Sequence, residues 1–205
     1  MTISKKAKTQ WNKSAISYRN FLKYIDSKTY KFELTLVDLL YISNFKGGNS
    51  TINEDELEIK GKLKSYSKAL EELETMFHSR TLVDIDDKEL IQLIEKVKLL
   101  CSLTRKGAAC NIDGFSVSYL SALLNCYFPN LLPILDRRVL INLGIVADQD
   151  INTQGQIINI ENFYEPLIAK MREKSRLEDK TLRQIDMELF IIEIPKEKQE
   201  IENEN

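Results

Sequence analysis

Ile112-Asp113-Gly114-Phe115-Ser116-Val117-Ser118-Tyr119-Leu120-Ser121-Ala122-Leu123-Leu124 is the stretch on which the fold turns. An apolar helical segment before it reads as ending near Cys110. Gly114 can adopt positive φ without steric cost, which suits a short turn. A new helix then starts at once, with Ser116 placed to cap it. Two helices joined in this way form a hairpin. Its turn is expected to present unpaired backbone N–H groups at the positive end of the second helix, a setting that suits a phosphate oxygen. Arg105 and Lys106 lie just upstream and would add charge. Next comes Phe128-Pro129-Asn130-Leu131-Leu132-Pro133-Ile134-Leu135-Asp136-Arg137-Arg138-Val139-Leu140. The two prolines stop the hairpin helix and force an extended crossing. The crossing delivers Asp136 to the start of another helix. That place suits a charged carboxylate and equally suits a plain N-cap.

Outward from this centre the periodicity is helical almost throughout. Tyr18, Phe21, Leu22 and Ile25 share a face behind a possible Ser14 cap. Leu34 to Ile42 is a compact apolar run, closed by the loop Phe45-Lys46-Gly47-Gly48-Asn49-Ser50. Ile59, Leu63, Tyr66, Leu70, Leu73 and Phe77 recur in steps of four and three, the mark of a long amphipathic helix. Asp86 or Asp87 can cap the next helix, in which Leu90, Leu93, Ile94, Val97 and Leu100 line up. Phe163 to Met171 and Leu182 to Ile192 form the last two stripes, stopped near Pro195. No period-2 segment is long enough for a strand. These stripes describe a core and by themselves no function.

Composition narrows the class. The 205 residues carry 29 basic and 31 acidic side chains in ordinary globular proportion. No run of about 18 apolar residues appears, so no membrane partner is expected. The N-terminus shows no apolar leader. Three cysteines, Cys101, Cys110 and Cys126, point to a reducing, cytoplasmic setting rather than a disulfide framework. A single histidine, His78, argues against a His-based metal site or a serine-type triad. Neither metal nor cofactor is expected. The near-zero net charge is unevenly spread. Residues 1–33 hold eight basic and two acidic side chains, residues 54–100 eight basic and twelve acidic, and the segment from Glu193 two lysines and five glutamates. The first segment can therefore meet a polyanion, or form a solvated basic helix.

The hairpin, crossing and Leu-Asp-x-x-Val resemble the helix–hairpin–helix (HhH-GPD) DNA glycosylases, the superfamily of endonuclease III and of the adenine and oxoguanine glycosylases. The likeness covers residues 105–145, about a fifth of the chain. It places the family's catalytic aspartate on Asp136 with no gap from the hairpin. It also implies DNA contacts from Gly114, Phe115, Ser116, Ser118, Arg105, Lys106, Arg137 and Arg138. Asp113 stands where the family turn has proline, and Ser116 where it has a second glycine. Ser118 stands where bifunctional members carry a lysine, so no Schiff-base nucleophile is supplied there. The four-cysteine cluster motif of some relatives is absent.

The resemblance implies an all-α, two-lobed fold. Residues 36–145 would form a central lobe holding the hairpin at about 96–126 and the Asp136 helix. Residues 1–35 would pack with 146–194, and 195–205 would be a flexible acidic tail. It implies a monomeric, monofunctional glycosylase that flips a modified or damaged base out of duplex DNA and leaves an abasic site. Tyr41, Asn44, Phe45 and Asn49 are candidates for a wedge or base pocket. The base is left open: oxidised, alkylated or deaminated in base-excision DNA repair, or a bulky modified base of viral DNA in antiviral defence. Two rivals stand beside this reading. One is a non-catalytic helix–hairpin–helix DNA-binding module, with Asp136 only a cap. The other is a helical interaction protein with no DNA role, favoured by the acidic middle.

Overall fold

The computed structural model describes residues 2–48 and 52–194. Asn49 and the expected tail at 195–205 lie outside the described residues. Among those described there are eight α-helices, two short 3-10 helices and no strand. The all-α expectation is thereby met. No described helix is long and apolar enough to cross a membrane.

Helix α1 (Lys5–Ser27) is capped by Ser4, whose side chain accepts the Ala7 N–H. Ser14, offered above as the cap, sits inside this helix and donates to the Trp11 carbonyl instead. The basic residues upstream of it are good helix formers and extend the helix back to Lys5. Helix α2 (Leu36–Phe45) starts at Thr35, whose N–H donates to Asp38 at 2.8 Å. Helix α3 (Glu56–Phe77) buries the six residues that the heptad-like spacing singles out: Ile59, Leu63, Tyr66, Leu70, Leu73 and Phe77. Asp86, rather than Asp87, caps α4 (Asp87–Leu103) and exchanges hydrogen bonds with Glu89.

The hairpin differs from its reading. Helix α4 ends at Leu103 and not near Cys110. Thr104 turns both its N–H and its hydroxyl back onto the Cys101 carbonyl, and Asn111 then binds the Thr104 carbonyl. Residues 104–116 therefore form a chain of turns instead of one tight joint. They lead into α5 (Val117–Tyr127), where Ser116 stands at the N-cap position but makes no side-chain cap bond.

Nine of the eleven residues of α5 are buried, so this helix is the centre of the molecule. One face of α5 carries a polar stripe. Ser118 donates to the Leu135 carbonyl, Ser121 accepts the Leu135 N–H, and Asn125 donates to the Leu132 carbonyl, all between 2.7 and 3.0 Å. The extended crossing at 128–136 thus finds hydrogen-bond partners on α5. From the other side Tyr164 donates to the Pro133 carbonyl. Asn125 is itself held by the Tyr18 hydroxyl of α1.

The crossing delivers the chain to α6 (Arg137–Asn142). Two further helices, α7 (Tyr164–Glu178) and α8 (Leu182–Ile191), complete the bundle. Arg138 donates to the carbonyls of Phe190 and Ile192, and Asn142 to that of Leu189, so α6 grips the end of α8. An antiparallel bridge between Ile3 and Ile192 ties the start of α1 to the same end. A buried triad fixes the other end of α1. Lys28 lies 2.9 Å from both Asp38 and the Tyr127 hydroxyl, and Tyr127 donates to Asp38.

If Asn125 carries the crossing, Asn125→Ala orphans the Leu132 carbonyl and the Tyr18 hydroxyl inside the core. The expected cost is about 1–3 kcal/mol for each orphaned group. Asn12→Ala, on the exposed face of α1, should stay within about ±0.5 kcal/mol. Urea unfolding midpoints check the contrast, and equal midpoints would refute it.

Candidate active site

The crossing ends at Asp136, whose side chain is 21% exposed. Its Oδ1 accepts the Arg138 N–H at 2.9 Å, so it caps α6. Its Oδ2 remains turned toward a cleft of about 460 Å³ and lies 3.5 Å from the Lys46 Nζ. Four pieces of chain wall this cleft: α1, the end of α2 with its following loop, the Ile134–Asp136 segment, and α8. Its volume falls in the range of small-molecule sites.

Each wall has a local cause. Gly47 and Gly48 both take positive φ, at 101° and 73°. Their N–H groups bond back to the Asn44 and Ser43 carbonyls, which curls the chain over the end of α2 and brings Lys46 to the cleft. Asn44 lines the cleft and donates to Ser17 of α1. Phe45 lines it too, leaning on Tyr18 with ring centroids 5.3 Å apart. Tyr41 is placed elsewhere. It stacks between Phe21 and Tyr24, at 5.3 and 4.9 Å, and does not line the cleft. Of the four wedge or pocket candidates, two therefore face the cleft, one does not, and Asn49 is undescribed.

Sequence reading passes over the residues that α1 and α8 contribute. The Arg183 guanidinium lies 3.8 Å from the Trp11 ring centre and 4.5 Å from that of Tyr18. Trp11 also meets Phe190 at 5.5 Å. Arg183 donates to Asp186 Oδ2 at 2.7 Å. Asp186 is only 5% exposed, yet it lines the same cleft as Asp136. Burial pushes its carboxyl from the ordinary 3.8 up to about 7; the Arg183 charge opposes this, the Asp136 charge adds to it, and Lys46 opposes it. The signal in the sequence was an aspartate on the apolar face of a helical stripe, one residue after Ile185.

The Gly114 turn is built differently from its reading. Gly114 has φ 81°, as the turn requires. Its neighbours' amides are already engaged: the Phe115 N–H bonds the Ile112 carbonyl, and the Asp113 N–H bonds Glu54 at 2.6 Å. Glu54 also pairs with Lys62 at 2.5 Å. Burial pushes the Glu54 carboxyl up, but Lys62 and the Asp113 N–H outweigh that and hold it below its ordinary value. A carboxylate of the chain itself thus meets one of the amides of the turn.

The remaining candidates divide. Phe115 is buried edge-on to Tyr66, so its ring belongs to the core. Ser118 binds the crossing, and Arg138 binds the end of α8. Arg137 is half-buried, with Nε and Nη2 lacking a hydrogen-bond partner among the described residues. Arg105, Lys106 and Ser116 are exposed. Burial raises the thiols of Cys101 and Cys126, which argues against either as a thiolate nucleophile.

Compared with known protein families, with curated proteins and with solved structures, the chain matches none.

The Asp186 environment has a measurable consequence for stability. A carboxyl raised in the folded state is stabilised in its protonated form. That contribution is complete below about pH 3.8 and is lost as the pH rises through about 7. The melting temperature of the wild type should therefore fall more between pH 5 and pH 8 than that of Asp186→Asn. Parallel melting curves across this range would show that Asp186 does not titrate there.

Proposed function

We propose that this chain is a monofunctional DNA glycosylase of the helix–hairpin–helix kind, hydrolysing the N-glycosidic bond of a modified or damaged base. The observation that carries the reading is the position of Asp136. The residue to which the sequence resemblance assigns catalysis lines an aromatic-walled cleft of a size that can take one extruded base. The cleft is lined by residues some 120 or more positions apart in the chain, from Trp11 to Asp136, so its meeting with Asp136 is independent of the local motif.

The chemistry fits these groups. Breaking the bond from C1′ to the base nitrogen develops positive charge on the deoxyribose, as in glycoside hydrolysis. The Asp136 carboxylate would lie beneath that cation and orient the attacking water. Trp11, Phe45 and Phe190 offer apolar and aromatic surface to a flipped base. On α1 the lysines at 5, 6, 8 and 13 are exposed, and Lys13 borders the cleft. They supply the charge that a phosphate backbone needs. The engaged amides of the Gly114 turn shift the expected backbone contact toward this basic helix.

Asp136→Asn should lower base release by about 10²-fold or more, by analogy with deleting one preorganised stabilising group. The fold should persist, because asparagine caps helices well. Mass spectrometry of bases freed from modified duplexes checks it. Release at the wild-type rate would remove Asp136 from the reaction.

Water as nucleophile leaves an intact strand with an abasic site. Strand breaks should appear only after alkali, and borohydride should trap no protein–DNA adduct. Lys46, beside Asp136, is the amine best placed to contradict this. An adduct mapped to Lys46 would make the enzyme bifunctional while leaving the cleft assignment in place.

A further inference from the structure

The cleft contains a second carboxyl group to which the glycosylase reading gives no task. Asp186 comes from α8, while Asp136 comes from the crossing, and both border the same 460 Å³ space. Their surroundings differ. Asp136 is partly open, caps α6 and faces Lys46. Asp186 is 5% exposed, and its Oδ2 accepts from Arg183. Arg183 is in turn spread against Trp11 and Tyr18, which fixes its direction. Two carboxyl groups in one site, one open and one buried, are the arrangement by which a fold runs acid and charge-stabilising roles side by side.

We infer that Asp186 is the general acid of the reaction, delivering a proton to the departing base, and that the substrates are accordingly uncharged bases that leave poorly without protonation. The inference rests on the glycosylase reading. In the step, Asp186 gives its carboxyl proton to a nitrogen or oxygen of the base. The bond from C1′ to the base nitrogen breaks, and its electron pair goes to the base, which departs neutral. Water adds to C1′ over Asp136 and loses a proton to that carboxylate. Proton return from Asp136 to Asp186, directly or through solvent, resets the pair. Only water is consumed.

Burial favours the neutral, proton-bearing form of Asp186 that this step needs, with the carboxyl pushed up to about 7. The charged and titratable groups around it come from every neighbouring wall. Arg183 lies on its own helix, Asp136 stands at the start of α6, Lys46 follows α2, and Tyr18 projects from α1. Cys126 of α5 feels the Arg183 charge and is held as a neutral thiol by burial. The two cations oppose protonation, while burial and Asp136 favour it.

The test uses the full chain and three duplex pools. One carries deaminated bases (uracil, hypoxanthine, xanthine), one carries 8-oxoguanine, and one carries 7-methylguanine and 3-methyladenine. The methylated bases bear a positive charge in DNA and depart without an added proton. The wild type should release uncharged bases, with a rate that falls as pH rises through about 7. Asp186→Asn, which keeps the shape and can still accept from Arg183, should lose about 10²-fold or more on uncharged bases. It should lose less than about tenfold on the charged ones, and its alkaline decline should vanish. Asp186→Glu keeps an acid in place and should recover part of the lost rate.

Equal losses on charged and uncharged bases, or an unchanged alkaline limb in Asp186→Asn, would overturn the acid role and leave Asp136 untouched. Release of charged bases alone by the wild type would do the same. No release from any pool would overturn the glycosylase reading itself. If Asp186→Asn fails to fold, the wild-type pH profile and the recovery in Asp186→Glu still decide the question.

Discussion

An extended segment buried between helices must find partners for its peptide groups, and here α5 supplies them. Ser118, Ser121 and Asn125 fall on one face of a helix whose other faces are apolar. Their side chains take up the backbone groups of Leu132 and Leu135. Without that stripe the crossing would carry unsatisfied polar groups through the core, at a cost that would exclude it from the interior. With it, the chain can leave α5, cross the interior and bring Asp136 to the wall of the cleft. The position of one carboxylate therefore depends on three polar side chains that never reach it.

The same bonds explain why the stretch quoted first decides so much. Its apolar residues make α5 the centre of the bundle, and its serines aim the chain that follows. Ser118 is one of these serines. In this protein its hydroxyl is committed to the Leu135 carbonyl. Replacing it would alter the support of Asp136 as well as the chemistry available on the helix.

The helices were legible because burial imposes a period that survives in a bare sequence. Leu63, Leu70 and Phe77 mark the apolar seam of α3 without any knowledge of their partners. The loop at Gly47 and Gly48 was legible because two adjacent glycines at the end of an apolar run have few other uses. Asp136 could be picked out because prolines and apolar residues isolate it. Asp186, Arg183 and Trp11 could not. Each belongs to an ordinary helical stripe, and what sets them apart is contact between α1 and α8, which lie far apart in sequence. The Gly114 turn was misread for a related reason. Its amides look free in the sequence, and the carboxylate that meets one of them comes from Glu54, before α3. Ser14 was misread locally, since a serine inside a helix can satisfy its hydroxyl on the preceding turn.

The bridge between Ile3 and Ile192 bears on how this protein is made as well as on how it is held together. Two walls of the cleft, α1 and α8, are separated by the whole of the chain from Lys28 to Thr181, so the first is made well before the second. Asp136 is translated before the helix that carries Asp186. During translation the nascent chain thus passes through a stage that has the aspartate but only three sides of its cleft. The fourth wall is in place only when α8 packs onto α1 and α6 and Arg183 meets Trp11. Until that docking, no stage of the chain holds Asp136 and Asp186 in one cleft.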